Sequence, residues 1–545
     1  MAGKGMEASR RFDYVIVGAG SAGAVLANRL SADPSVRVCL VEAGGTGRSP
    51  FVSMPLGVIW LAKDPRHNWL LASSPQPDLD NRKVSIPRGK VLGGSSAING
   101  MIYIRGHRED YDAWARNGCT GWDYESVLPY FRRSEDNDNR ALEERFHGRG
   151  GPLSVADLRD PNPADRDFMA AANALQIRDC TDFNAAEPEG VGIYQVTQKD
   201  GRRHSTAAAF LAPVRARANL HIVTDVEVER VVFDGGRATG VTGRRGDGSA
   251  WDVRAGEVIL SAGAFGSPDI LMKSGIGPAD RIAGFGGQVI ADLPGVGQNL
   301  QDHVDCMVIC RAATTIPYGL SLQAVPKLAL HGLRWIFGRR GMLSSNMVEA
   351  GGFVRSSPAE ARPDLQFHFI PGLKSHRGRM FEYGHGMSLH TCVLRPDSRG
   401  SVTRTRADGP PVIDLGLLRE DSDMERLLKG VKLARDILSQ APLARHGLGE
   451  VIPGDGVTDD AALREYIRKH ARTVYHPVGT CAMGTGAQAV TDPRLRVRGV
   501  GGLRVVDASI MPTIVSGNTN APAIMIAEKA ADMIMEERRS EMMAS

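Results

Sequence analysis

The stretch VYHPVGTCAMG (474–484) sets a single imidazole, His476, between an aromatic residue and a proline, shortly before a glycine. Imidazole takes up a proton near neutral pH, which makes His476 a candidate general base toward a weakly acidic group. The proline beside it restricts the local backbone. Farther on, SGNTNAP (516–522) offers two carboxamides, Asn518 and Asn520. Either could donate a hydrogen bond to an oxygen that gains charge as its proton leaves. These are the parts of a proton-abstraction site. The stretches themselves do not say whose proton is taken or where electrons go.

The other end of the chain supplies a place for electrons. Tyr14–Val17 is a short β-branched run that predicts a buried parallel strand, followed by GAGSAG with glycines at 18, 20 and 23. The first glycine makes a tight turn, the second admits a pyrophosphate to the backbone, and the third lets helix and strand pack closely. AVLANRL then predicts a helix whose N-terminus faces the phosphates. VRVCLVEAG predicts a second strand ending at Glu42 and Ala43. A carboxylate at the end of that strand holds a ribose hydroxyl and argues against a 2′-phosphate. The unit therefore binds a dinucleotide through Gly18, Gly20, Ser21, Ala22, Gly23, Glu42 and Ala43, with NAD and FAD both open at this point.

The bulk numbers set the frame. The chain has 545 residues, 42% hydrophobic and 23% charged, as in a soluble globular enzyme of about two to four domains. Lys and Arg number 66 against 62 Asp and Glu, a net charge of +4, and no basic tract with interleaved aromatics argues for nucleic acid. Seven scattered cysteines fit neither a secreted disulfide framework nor a zinc site, so no metal is expected and a reducing compartment is. MAGKGMEASRR lacks the apolar core of a signal peptide, and no run is long enough to span a membrane. A cytoplasmic location is expected. VPKLALHGLRWIFGRRGML (325–343) mixes apolar and basic residues at helical spacing. Its favoured reading is a core-facing helix with a solvated basic face, and its second is peripheral contact with a membrane surface.

Four separated motifs, in order, resemble the glucose–methanol–choline (GMC) oxidoreductase family from about Phe12 to about Met533. They are IPRGKVLGGSSAINGMIYIRGH (86–107), SAGAFGSPDILMKSGIG (261–277), VYHPVGTC, and VVDASIMPTIVSGNTNAPAIMIAEKAADMI (505–534). The pattern is most similar to bacterial primary-alcohol and choline dehydrogenase-like members. The resemblance implies FAD, lying against the small-residue loop through Val91, Gly93, Gly94, Ser95, Asn99 and Gly100. It further implies a backbone contact from Val226 on the adenine side, Asp507 beside the phosphates or ribityl chain, and Asn520 at the flavin. Ile98 stands where some relatives carry a flavin-linking histidine, so non-covalent FAD is expected. The resemblance pairs His476 with Asn518 and implies oxidation of an alcohol, its hydride passing to the flavin N5.

Other residues take lesser roles. Ser267 and Pro268 predict an N-cap and first helical position. His303, in LPGVGQNLQDH (293–303), is expected to serve a turn or cap, and His107 the surface or packing. His204 and His368 are weak pocket candidates. Residues 219–243 predict a hairpin about a glycine turn. PDLQFHFIP, MSLHTCVLRP and GSVTRT predict strands, and 421–438 and 458–472 predict helices.

The expected fold is α/β (α+β overall). A Rossmann-like FAD-binding domain is assembled from discontinuous segments 12–155, 206–310 and 461–540, and an antiparallel-sheet substrate domain with helices from 156–205 and 311–460. Met101, Phe367, Phe369 and Tyr475 are expected to line a substrate pocket suited to an aliphatic or aryl primary alcohol. Choline is the alternative, with Glu349 the candidate anion, since an ammonium needs a carboxylate and an aromatic cage. A non-redox, hydroxynitrile lyase-like reaction on the same flavin fold is the second alternative. The expected partners are a small-molecule alcohol and an electron acceptor, oxygen or a quinone-type carrier.

Overall fold

The computed structural model describes residues 11–374 and 382–544. The first ten residues, with most of the MAGKGMEASRR leader, lie outside the described residues. Strand β1 (Arg11–Val17) leads through the glycine turn into helix α1 (Ser21–Leu30), and strand β2 (Val38–Val41) returns parallel beside β1. The β-branched run of β1 is buried on both faces, as a central parallel strand requires. A seven-stranded sheet grows around it in the order 220–223, β2, β1, 250–260, 237–245, 226–234, with 503–505 beside 250–260. Chain from the N-terminus, the middle and the C-terminus thus meets in one sheet.

The hairpin prediction holds for Val226–Asp234 and Arg237–Arg245, which pair antiparallel across Gly235 and Gly236. Leu220–Val223 is not part of it. It pairs parallel with β2 on the far edge, because Asp225, at φ +59, redirects the chain. The helix after the strand Ala250–Leu260 starts at Gly263, earlier than the Ser267 cap predicted. Ser267 sits inside this helix, where its hydroxyl accepts from the Ala262 amide (3.1 Å) and donates to Asp507 (2.6 Å).

A second, eight-stranded sheet is antiparallel throughout. Its order is 449–452, 304–312, 384–393, 365–370, 350–354, 190–193, with 319–320 and 472–473 attached. The strands predicted at 365–370 and 384–393 are there, and the helix Asp421–Ser439 has a buried apolar side that packs on this sheet. The expected boundaries at 310 and 461 need moving: Val304–Ala312 and Arg472–Thr473 both belong to this second sheet.

The long helix Asn520–Ala544 packs on α1. Arg29 donates twice to the buried Glu528 (2.7 and 2.8 Å), locking the two helices together with both N-termini on one side. The helix Val325–Gly338 contradicts its favoured reading. No residue of it is fully buried, and Val325, Leu330, Leu333, Ile336 and Phe337 face outward. All seven cysteines are buried and none forms a disulfide, and no group of metal-ligating side chains occurs among the described residues. No described helix is long and apolar enough to cross a membrane.

Candidate active site

A cavity of about 1040 Å³ is lined from both sheets, at the upper end of the roughly 300–1,000 Å³ of small-molecule sites. At one part of it stand Gly18, Gly20, Ser21 and Ala22, at the N-terminus of α1, where unpaired amides and the helix dipole favour an anion. Gly23 lies behind this wall: a Cβ there would fall 1.9 Å from the Gly18 carbonyl oxygen, so its role is the close helix–strand approach. Glu42 is buried at the end of β2, where its carboxylate accepts from the amides of Ala19 and Gly44, both at 2.9 Å. Burial pushes its pKa up to about 7. Ala43 and Val226 line the cavity beside it, and the Val226 amide donates to the Glu42 carbonyl (3.1 Å).

The loop 93–101 forms the next wall. Gly94, Ser95, Asn99, Gly100 and Met101 face the cavity, whereas Val91 packs in a small apolar cluster with Leu61, Ala97 and Ile98. Gly93 is turned toward Ala207 and Ser205. Sequence reasoning missed what holds this loop. Arg203 is buried and donates to the Asn99 carbonyl (2.6 Å), the Asn99 side chain (2.9 Å) and the Val52 carbonyl (3.1 Å). Its Nη2 has no hydrogen-bond partner, and burial pushes its pKa down to about 9. Asp507 and Asn520 also line the cavity. Asp507 caps the helix start through the Gly263 amide (2.8 Å), and Asn520 accepts from Ser21 (2.7 Å).

His476 lines the same cavity. Its Nε2 is 3.1 Å from Asn518 Nδ2, and its Nδ1 is 3.0 Å from Nδ1 of His303. The other nitrogen of His303 is 3.1 Å from the Val515 carbonyl, which can only accept. The tautomers follow. Nε2 of His303 carries the proton, its Nδ1 is the acceptor, Nδ1–H of His476 donates to it, and Nε2 of His476 keeps a lone pair. The Asn518 amide donates to that lone pair. Gln366 Nε2, 3.3 Å from Asn518 Oδ1, fixes which end of the carboxamide does so. Burial first, then the neighbouring His303, His368 and Arg88, holds His476 well below the ordinary 6.5, and burial pushes His303 down to about 4. The backbone is fixed as well. Asp302 accepts from the His476 amide (2.8 Å) and from the Thr473 hydroxyl, and Arg88 donates to the Tyr475 carbonyl (2.5 Å). Tyr475 itself has φ +72.

Family models described as GMC oxidoreductase match residues 12–305 and 396–527. The chain is a GMC oxidoreductase. It is 46% identical over 530 residues to an alcohol dehydrogenase [acceptor] of Pseudomonas putida, covering 96% of each chain. It is 42% identical to an oxygen-dependent choline dehydrogenase of Rhizobium etli, covering 96% of this chain and 95% of the other. Among solved structures it superposes on pyridoxine 4-oxidase from Mesorbium loti with a TM-score of 0.86 at 32% identity, over 96% and 99% of the two chains.

As a member of this family the protein is an FAD-dependent oxidoreductase acting on CH–OH donors. Its own residues fit the cofactor. Gly100 and Gly263 both line the cavity, and a Cβ on either would meet no protein atom within 4 Å, so the wall is kept bare where a flat ligand would press. The N-termini of two helices, at Ser21 and Asn520, open on the same space.

Several expected pocket residues of this GMC oxidoreductase lie elsewhere. Met101 and Tyr475 line the cavity, but Phe367 and Phe369 do not. They are on the opposite face of their strand, where Phe369 stacks on Phe168 (centroids 4.7 Å apart). Side chains alternate along a strand, so it is Gln366, His368 and Ile370 that face the site. Glu349 is also no cavity anion: it is buried, accepting from the Asn162 amide (2.6 Å) and Tyr318 (3.1 Å). His303, expected at a turn, is part of the histidine pair. His204 accepts from the Ser154 amide (3.0 Å) away from the cavity. His107 is the N-cap of the helix Arg108–Arg116.

Proposed function

We propose that this GMC oxidoreductase oxidises a neutral primary alcohol, aliphatic or aryl, to the aldehyde. His476 is the base and Asn518 the donor that holds the alcohol oxygen. The observation that carries the reading is His476 Nε2, 3.1 Å from the Asn518 amide and left with its lone pair in the tautomers that the His303–Val515 chain sets. An alcohol oxygen seated between the two gives its proton to Nε2 and accepts from Nδ2 as charge builds on it. When bound, FAD supplies the acceptor for the hydride that leaves the carbinol carbon. Asp302 and Arg88 keep the imidazole from swinging away during the transfer, through the peptide group that precedes it. In this reading the first sheet and its helices hold the cofactor, and the second sheet shapes the substrate end.

The lining supports an apolar remainder on the alcohol. Met101, Ile102, Leu320, Met342, Ile370 and Leu373 supply apolar surface. Choline is the second reading, because the carboxylates Asp305 and Glu382 also line the cavity. Asp305, however, is already engaged by His390 (2.8 Å) and Arg472 (3.4 Å), and Lys374 stands beside His390 (3.3 Å). Phe367 and Phe369 contribute no aromatic cage. At Asp305 a cation meets a carboxylate that is already matched and cations beside it, which favours the neutral alcohol there.

The test is an anaerobic titration of the purified holoenzyme with medium-chain alkanols, benzylic alcohols, a hydroxymethylfuran and choline, following the oxidised-flavin absorbance. Bleaching by a neutral alcohol at lower concentration than choline supports the reading. Bleaching by choline alone replaces the substrate class, and no bleaching by any of them removes the redox step and favours lyase-type chemistry. Air admitted afterwards separates the acceptors: fast recolouring marks oxygen, and slow recolouring a quinone-type carrier.

A further inference from the structure

The helix Val325–Gly338 is amphipathic the wrong way round for a globular surface. Leu328, His331, Gly332 and Trp335 are the half-buried side that meets the rest of the protein. The outward arc carries Val325, Leu330, Leu333, Ile336 and Phe337, and Leu322 precedes it. Phe337 is 85% exposed, Leu322 81% and Ile336 61%. On a helical projection these outward positions fall within an arc of about 140°, wider than the ~100° stripe that ordinarily faces a core. Contiguous apolar surface of this kind marks an interaction site.

Charge identifies what it meets. Between Arg311 and Glu349 the sequence contains no Asp or Glu, while Lys327, Arg334, Arg339 and Arg340 all lie on or directly after the helix. Arg334 is paired with Asp160 (2.7 Å), and Arg339 lies over the Trp335 ring (5.1 Å). An apolar arc with a basic border is the pattern of a helix lying in the interface of an anionic bilayer, with apolar side chains in the acyl boundary and cations at the headgroups. The surroundings agree. Tyr318, Leu320 and Met342, which flank the helix in the chain, line the active-site cavity. Tyr383, bridged to Leu320, is 67% exposed and adds an aromatic of the kind found at headgroup level.

We propose that the helix Val325–Gly338, with Leu322 and Tyr383, is a docking surface for anionic phospholipid bilayers that seats the protein peripherally beside the mouth of its cavity. The proposal rests on this surface alone and stands or falls independently of the substrate.

Vesicle co-flotation of the full-length holoenzyme tests it, with phosphatidylcholine alone and phosphatidylcholine mixed with phosphatidylglycerol. Binding to the mixed vesicles is expected, weakened by salt, and reduced roughly tenfold or more in a variant carrying Ile336→Glu and Phe337→Glu. A second variant, Arg339→Glu with Arg340→Glu, is expected to lose binding while keeping the apolar arc. Retained flavin absorbance, unchanged melting and unchanged turnover of a water-soluble alcohol show that each variant is folded. Absence of wild-type binding to either vesicle overturns the proposal. So does equal binding to both vesicles, or a dimer in sedimentation that Ile336→Glu and Phe337→Glu dissolves, which would make the face a contact between copies of the chain.

Discussion

The rings of His303 and His476 meet edge to face, their Nδ1 atoms 3.0 Å apart and their planes at 83°. Of two nitrogens facing each other at that distance, one donates and one accepts. The Val515 carbonyl decides which, because it claims the only proton of neutral His303. A backbone carbonyl three residues before Asn518 thereby leaves the lone pair of His476 on its Nε2.

If Nε2 of His476 is the base, His476→Ala should lower kcat/KM for the alcohol by roughly 10²–10⁴ with FAD content unchanged. Loss of flavin together with activity would instead mark His476 as a structural residue.

The pH profile should carry the same signature. His476 is held well below 6.5, so the base is already deprotonated at neutral pH, and kcat/KM should decline only as pH falls well into the acid range. In His303→Phe, burial, the largest cause of the lowering, remains. The acid limb should therefore stay in the acid range while the plateau falls from the lost tautomer control. An unchanged plateau in the variant would remove His303 from the relay.

Gln366 fixes Asn518 without touching His476. Gln366→Leu frees the carboxamide to turn its oxygen toward the base. The expected loss is about tenfold in kcat/KM, about 1.4 kcal/mol and the size of one hydrogen bond, expressed in kcat more than in KM because the bond strengthens as charge builds. A change confined to KM would mean that Asn518 only binds.

Gly100 tests the cofactor wall. A Cβ there meets no protein atom, so Gly100→Val should fold, yet its side chain would stand where the cavity is kept bare. The purified variant should contain markedly less FAD while the apoprotein melts as the wild-type apoprotein does. Full FAD occupancy would show that the cofactor does not press on this wall.

Phe369 tests the strand face. Stacked on Phe168 inside the core, it should behave as a packing residue. Phe369→Ala should cost about 3–5 kcal/mol of stability and leave the order of preference among alcohols unchanged. Altered preference without destabilisation would return it to the pocket.

The nucleotide unit was legible because its requirements are local. A buried strand, a glycine turn, a helix start and a carboxylate follow one another within a few dozen residues, and backbone sterics alone assign each a task. His476 and Asn518 were legible through their motifs, and the structure brings them to 3.1 Å of each other. The strands at 365–370 and 384–393 were visible in their alternation.

What the chain order could not carry was decided in three dimensions. Strand alternation has two phases, and only the packing of the second sheet chose Gln366 and His368 over Phe367 and Phe369 as the face toward the site. The apolar side of Val325–Gly338 has the same period whether it faces a core or solvent, so its outward turn is a tertiary fact. His303 and His476 are separated by 173 residues, and Arg203 and Asn99 by 104. A hydrogen bond has no sequence signal at such separations. Residue types and local spacing marked a dinucleotide unit, and the family resemblance of the motifs implied FAD and singled out His476. Long-range packing decided which tautomer His476 adopts, which strand face it looks toward, and which apolar surface is left exposed.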